Sequence, residues 1–142
     1  MGDRANFGMT QTDGNTIFLY SHWGGHQMLA EFALALDKMN QAGRANDEAY
    51  GTRIIIDSLT GCVGNDLGFG ITVNRIMDNE HKIPVYDFND KTVTLYADEA
   101  RTEKVFTMSL DAFIDKFAKH PRPVNFGQFA RGRAGNLYIF SN

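Results

Sequence analysis

The sequence predicts an α+β fold: an antiparallel sheet built from hairpins, with about three helices packed on it. Three observations carry this reading. Short runs of β-branched and aromatic residues are joined by tight-turn dipeptides rather than by the long crossovers of βαβ units. Separate segments repeat apolar residues at helical spacing. The 142 residues, 43% of them hydrophobic and 22% charged, suffice for one domain with its own core.

The elements follow in order along the chain. "RANFGM" and "TIFLYSHW" predict strands near 4–10 and 15–22, and Asp13-Gly14 between them supplies the positive φ of a hairpin turn. From Gly25 the period changes: Met28, Leu29, Phe32, Ala33, Leu36 and Met39 form a helical stripe that Gly43 ends. In "NDEAYGTRIIIDSLTG" the capping residues Asn46 and Asp47, the early acids and the closing Gly61 predict a second helix. The run Ile54, Ile55 and Ile56 also suits a buried strand. "GFGITVNRI" alternates Phe69, Ile71 and Val73 with small or polar residues, a strand pattern. "KIPVYDFNDKTVTLY" reads as a hairpin turning at Asn89-Asp90, with Pro84 at the start of its first arm. "KVFTM" gives a further strand. A third helix follows, with Ser109 as N-cap and Leu110, Phe113, Ile114, Phe117 and Ala118 on one face. The predicted domain is 1–120, and 121–142 form a C-terminal tail or oligomerisation arm rich in glycine, arginine and aromatics. In that arm "NLYIF" could add a strand to a neighbouring subunit, so a homo-oligomer is expected.

Composition narrows the function. With 14 basic and 17 acidic side chains, a net charge of −3 and no block of like charge, duplex nucleic acid is not the expected partner. A small anionic nucleotide, which needs only a few placed cations, remains open. The single Cys62 excludes an intrachain disulfide and a cysteine-rich zinc site, and "TGCVGN" offers it no base, so it reads as a buried, inert thiol. No apolar run approaches the ~20 residues of a membrane span, and the opening "MGDRANF" has no signal-peptide character. The expected location is the cytoplasm, that of the host if the gene is carried by a phage.

Three stretches carry candidate chemistry. "SHWGGHQ" sets His22 and His26 four residues apart, but Gly24-Gly25 falls at a strand-to-helix junction, with His22 before the helix and His26 in its first turn. Two zinc ligands on one helix need both histidines inside it, so no metal is predicted. The glycines instead suggest an anion-accepting helix start, with Trp23 as a stacking face; the alternative is a plain tight turn with Trp23 in the core. "GDRANF" puts Arg4 and Asn6 on one face of the first strand, able to read a phosphate and a base edge, or else to pair with a neighbouring strand's acid. "DNEHKIP" gathers Asp78, Asn79, Glu80 and His81 in a loop, as an acid–base set or as ordinary turn formers. "GFGITVN" lacks phosphate-loop spacing. One copy of "RGRAG" beside Phe126, Phe129 and Tyr138 is thin support for nucleic-acid binding. No nucleophile elbow, HExxH or P-loop occurs.

The motifs "GDRANF", "LYSHWGGH", "YGTRI" and "DNEHKIPVYDF" resemble those of a group of small bacteriophage and actinobacterial proteins, across roughly residues 2–96. Their polar positions fall at Arg4, Asn6, His22, Trp23, Arg53 and Asp78 to His81. Small phage proteins of this size and architecture include sponges that sequester the nucleotide signals of bacterial immunity. By that analogy of context the resemblance implies a non-enzymatic, oligomeric protein that captures a cyclic or ADP-ribose-derived messenger. Arg4, Arg53 and the Gly24-Gly25 helix start would hold phosphates, Trp23 or Tyr20 would stack the base, and Asn6 or the 78–81 loop would read ribose or base edges. The alternatives are a hydrolase or lyase of such a nucleotide, using His22, His26 or His81, and an inhibitor that docks on a host enzyme. No cofactor is expected.

Overall fold

A computed structural model describes residues 2–61 and 68–118, together with the backbone of two short strands at Ala130–Arg131 and Leu137–Tyr138. Strands β1 (Ala5–Thr10) and β2 (Thr16–Ser21) form the first hairpin, followed by helices α1 (Met28–Gln41) and α2 (Glu48–Thr60). Strands β3 (Phe69–Val73), β4 (Ile83–Asp87), β5 (Thr92–Tyr96) and β6 (Lys104–Ser109) lead into α3 (Leu110–Phe117). The fold is α+β, as the hairpin and helix patterns indicate.

The helices start and stop where local chemistry dictates. Asp47 caps α2 by accepting the Tyr50 N–H at 3.1 Å, and Ser109 caps α3 by accepting the Ala112 N–H at 3.1 Å. Gly61 ends α2 at φ 68°, a left-handed position that suits glycine. The isoleucine run lies inside α2, where Ile55 faces the core and its neighbours pack at the edge.

The sheet has the order β3-β2-β1-β4-β5-β6 and consists of two three-stranded units joined edge to edge. All its pairs are antiparallel except β1 and β4, which run parallel with Gly8 opposite Val85. The sheet is thus mostly antiparallel and built from hairpins, and the parallel pair is where its two halves join. From the outer strand β3 the chain returns across the sheet and lays β4 beside β1, so β4 enters in β1's direction. Pro84 sits one residue ahead of the β1 ladder, whose registered pairs begin at Val85, so its missing N–H takes no bond from that ladder.

One face of the sheet carries the helices. Phe7 and Met9 of β1, Tyr86 of β4 and Val93 and Leu95 of β5 pack under Phe32, Leu36 and Met39 of α1 and Phe113 of α3. Phe7, Phe32 and Phe113 form a chain of rings 5.5 and 6.1 Å apart, which accounts for part of the chain's phenylalanine richness. On the opposite face Phe18, Ile83 and Val85 are covered by Ile76 of the β3–β4 connection, and the Arg101 guanidinium lies over the Phe18 ring at 5.2 Å. No helix among the described residues is long and apolar enough to cross a membrane. In the C-terminal arm Ala130–Arg131 pairs antiparallel with Leu137–Tyr138. The rest of the expected arm, and Cys62, lie outside the described residues.

Candidate functional site at one end of the sheet

Because β1 and β4 are parallel, both begin at the same end of the sheet, where antiparallel β2 finishes. Three loops and the start of α1 therefore converge, bringing together residues far apart in sequence. Asp3 and Arg4 precede β1, His22 to His26 follow β2, Asp78 to His81 precede β4, and Glu31 lies in the first turn of α1.

Asp3 is fixed by four hydrogen bonds. Its N–H donates to the His22 carbonyl at 2.7 Å, and its own carbonyl accepts the Gly25 N–H at 2.9 Å. One carboxylate oxygen lies 2.5 Å from His81 Nε2, and the other accepts the His26 N–H at 2.6 Å. The His81 hydrogen bond, aided by the His26 N–H, holds the Asp3 carboxyl below the usual carboxylate range. Gly25 is required by proximity: a side-chain carbon there would overlap the His81 ring.

This arrangement corrects the predicted helix start. Helix α1 begins at Met28 with Gln27 as its cap, so His26 stands before the helix, not in its first turn. Neither Gly24-Gly25 nor His26 offers a free amide cradle, because the N–H groups of Gly25 and His26 are taken by Asp3. The anion at this junction is the protein's own carboxylate. Among the described residues no group of three His, Cys, Asp or Glu side chains is arranged to hold a metal ion.

Asn6 also differs from its predicted role. It is fully buried, and its amide donates to the Met77 carbonyl and to Asn79 Oδ1, both at 3.0 Å, while its oxygen accepts the Met77 N–H at 3.1 Å. Every group that would read a base edge thus pins the β3–β4 connection to β1. Asn79 in turn donates to the His81 carbonyl, so this chain of amides sets where His81 stands. Arg4 spans the same loop. Its Nε lies 3.2 Å from Asp78 Oδ2, its Nη2 lies 3.6 Å from Glu80 Oε2, and its backbone N–H donates to Glu80 Oε1 at 2.8 Å. The Nε contact has ion-pair distance without hydrogen-bond alignment.

The aromatic side of the site is open. Trp23 is 62% exposed, not a core residue, and stands edge-on to the His22 ring at 4.5 Å between centroids. His22 is held through its Nδ1 by the Tyr20 hydroxyl at 2.8 Å, and it backs onto Gly2, where a side-chain carbon would strike the imidazole.

Arg53 does not join this group. It projects from α2 at the far end of β1, beside Gln11 and Ile17, and is paired to Asp57 one helical turn on. Seven residue steps of extended chain lead from Arg4 to Gln11, roughly 23 Å at about 3.3 Å per step, too far for one small nucleotide to touch both arginines.

Two residues of the cluster were not singled out from the sequence. Asp3 lies there on the strand face opposite Arg4 and Asn6, and Glu31 falls between the stripe residues Leu29 and Phe32. In the fold Glu31 Oε2 reaches the Gly24 side of the turn, and partial burial, reinforced by the Asp3 charge, raises its carboxyl to about 7.

No family model, curated protein or solved structure matches the chain.

Proposed function

We propose that the strand-end site captures a small nucleotide, a cyclic or ADP-ribose-derived messenger of antiviral immunity, and so acts as a sponge. The observation that carries this reading is Trp23: a large aromatic face, mostly exposed, buttressed by His22 and rimmed with polar groups. A base stacked on that face gains contact area without disturbing the core. The phosphate contacts are the Arg4 guanidinium and the ring nitrogens of His22 and the exposed His26. Arg4's partner Asp78 has a side chain 72% exposed, and so open an ion pair contributes little to stability. A ligand phosphate can replace Asp78 on the guanidinium at small cost. The messenger class comes from an analogy of context with small phage sponges, and the chemistry of the site narrows it only to an aromatic base bearing phosphate. The sponge is expected to work as a homo-oligomer in the cytoplasm of an infected cell.

The chain's only tryptophan makes the test specific to this residue. Titration with a panel of cyclic and ADP-ribose-derived nucleotides should quench Trp23 emission and raise the melting temperature by several degrees. The Trp23→Ala protein should keep its fold and lose the thermal shift. If no nucleotide in the panel changes either signal, the capture reading is wrong.

A further inference from the structure

Capture on Trp23 makes no use of the Asp3–His81 pair, yet that pair is held more firmly than a surface contact requires. Asp3 is bonded through its N–H, its carbonyl and both carboxylate oxygens, and the His81 ring is packed against Gly25 with no space for a side chain between them. With Nε2 bonded to a carboxylate, the neutral imidazole carries its proton there and presents Nδ1 as a base. That nitrogen makes no hydrogen bond among the described residues. Glu31 completes the set from the adjacent glycine. A side-chain carbon at Gly24 would lie 3.7 Å from Glu31 Oε2, and one at Gly25 would lie 2.9 Å from Asp3 Oδ1, so the two carboxyls line consecutive residues of one turn.

We infer that this group is an acid–base centre in which His81, oriented by Asp3, and Glu31 hydrolyse a phosphoester or phosphoanhydride bond of the nucleotide held on Trp23. The inference takes its substrate from the capture reading and goes beyond it, since the signal would be destroyed rather than stored. In the reaction a water oxygen forms a bond to phosphorus and its proton passes to His81 Nδ1. The bond from phosphorus to the leaving oxygen breaks, and the Glu31 carboxyl gives its proton to that oxygen. Water then returns the proton from His81 to Glu31. Asp3 is a positioning residue, fixing the tautomer and orientation of the ring. The opposed environments of the two carboxyls suit these roles: Asp3 stays ionised, while Glu31 at about 7 retains a proton to give.

The test follows each nucleotide of the panel by phosphorus NMR in ¹⁸O-water, with Trp23 emission recorded in parallel. Turnover with one ¹⁸O incorporated into the product phosphate is expected. His81→Gln and the isosteric Glu31→Gln should each lower the rate at least 100-fold, in the range typical of a lost acid or base, while the quench of Trp23 persists. Asp3→Asn should lower kcat with KM unchanged. A nucleotide that quenches Trp23 and is recovered intact overturns the acid–base centre and leaves capture standing. Absence of quenching by every nucleotide overturns capture itself. Turnover undiminished in His81→Gln or Glu31→Gln overturns the assignment of that residue.

Discussion

The two ends of the sheet are built from the same strands and end in opposite chemistry. At the end where β1 starts, an arginine, three histidines and four carboxyls meet around an exposed tryptophan. At the end where β1 stops, Ile17, Ile56 and Ile71 line a shallow groove between α2 and the outer strand β3. At that second end Gln11 donates to Thr52 of α2 at 3.0 Å, which fastens the helix to the end of β1, and Arg53 pairs with Asp57 on its own helix. Arg4 and Arg53 look alike in the sequence, each with acids within reach. The acids of Arg4 come from a loop more than 70 residues away, whereas the acid of Arg53 lies four residues on. A functional cluster here is one that several separated segments must meet to build, and a local helix pair is a solvated surface feature.

The sharpest way to break the contrast is Gly25→Val. Its side chain would displace His81 and with it Asp3, whose bonds to the backbone of His22, Gly25 and His26 fasten the turn that carries Trp23, so overpacking should cost about 3 kcal/mol and nucleotide binding should be lost as that turn shifts. Chemical denaturation and Trp23 emission read the two effects. A variant of unchanged stability would mean that the turn and the His81 ring are not in close contact.

Asn6→Ala comes next. It leaves the Met77 N–H and carbonyl and the Asn79 side chain without their partner in a partly buried setting, which should cost about 1–3 kcal/mol and loosen the loop that carries His81. Hydrogen exchange at Met77 should speed up. Full protection there would show that the loop is held by other contacts.

The two carboxyls should respond to pH with opposite signs. Glu31, raised from 4.5 to about 7, keeps its proton in the folded protein after the unfolded chain has lost it. Its contribution is therefore fully present below pH 4.5 and lost as pH rises through 7. Glu31→Gln should leave stability unchanged at pH ~4 and raise it by about 1–3 kcal/mol at pH ~8. Asp3, whose value is lowered from 3.8, contributes stability above that value, and this is lost as pH falls through its folded value. Urea melts at several pH values should show Glu31→Gln gaining on the parent only on the alkaline side. An equal gain at every pH would remove Glu31 titration as the cause.

The smallest effect belongs to Arg53→Ala. The Arg53 side chain is 59% exposed and its Asp57 pair is local, so stability should shift by less than about 0.5 kcal/mol. Nucleotide binding measured at Trp23 should not change at all. A clear loss of affinity would place ligand at the groove end and undo the contrast drawn between the two ends.

Much of the fold was legible residue by residue. Asp13-Gly14, Asp47, Gly61 and Ser109 each perform the turn or cap that their chemistry suits, and the stripe from Met28 to Met39 is the buried face of α1. These are local preferences, set by φ, by a side chain reaching its own helix N–H groups, and by periodicity. The candidate residues were legible as types: twelve of the thirteen singled out lie at one end of the sheet, and only Arg53 stands apart.

Roles were decided elsewhere. That β1 and β4 run parallel depends on where the chain from β3 returns to the sheet, a contact between distant segments that no local preference encodes. From this one pairing follow the meeting of Asp3 with His81 and the burial of Asn6. A carboxylate in sequence is an unspecified charge. It becomes an anchor in Asp3, or a proton-holding acid in Glu31, only through the partners and the burial that tertiary structure gives it. The sequence by itself determined the elements, their caps and the residues capable of chemistry, because those depend on neighbours within a turn or two. The tertiary structure alone decided which of them meet, because hydrogen bonding and desolvation act between groups that the chain brings together from its far ends.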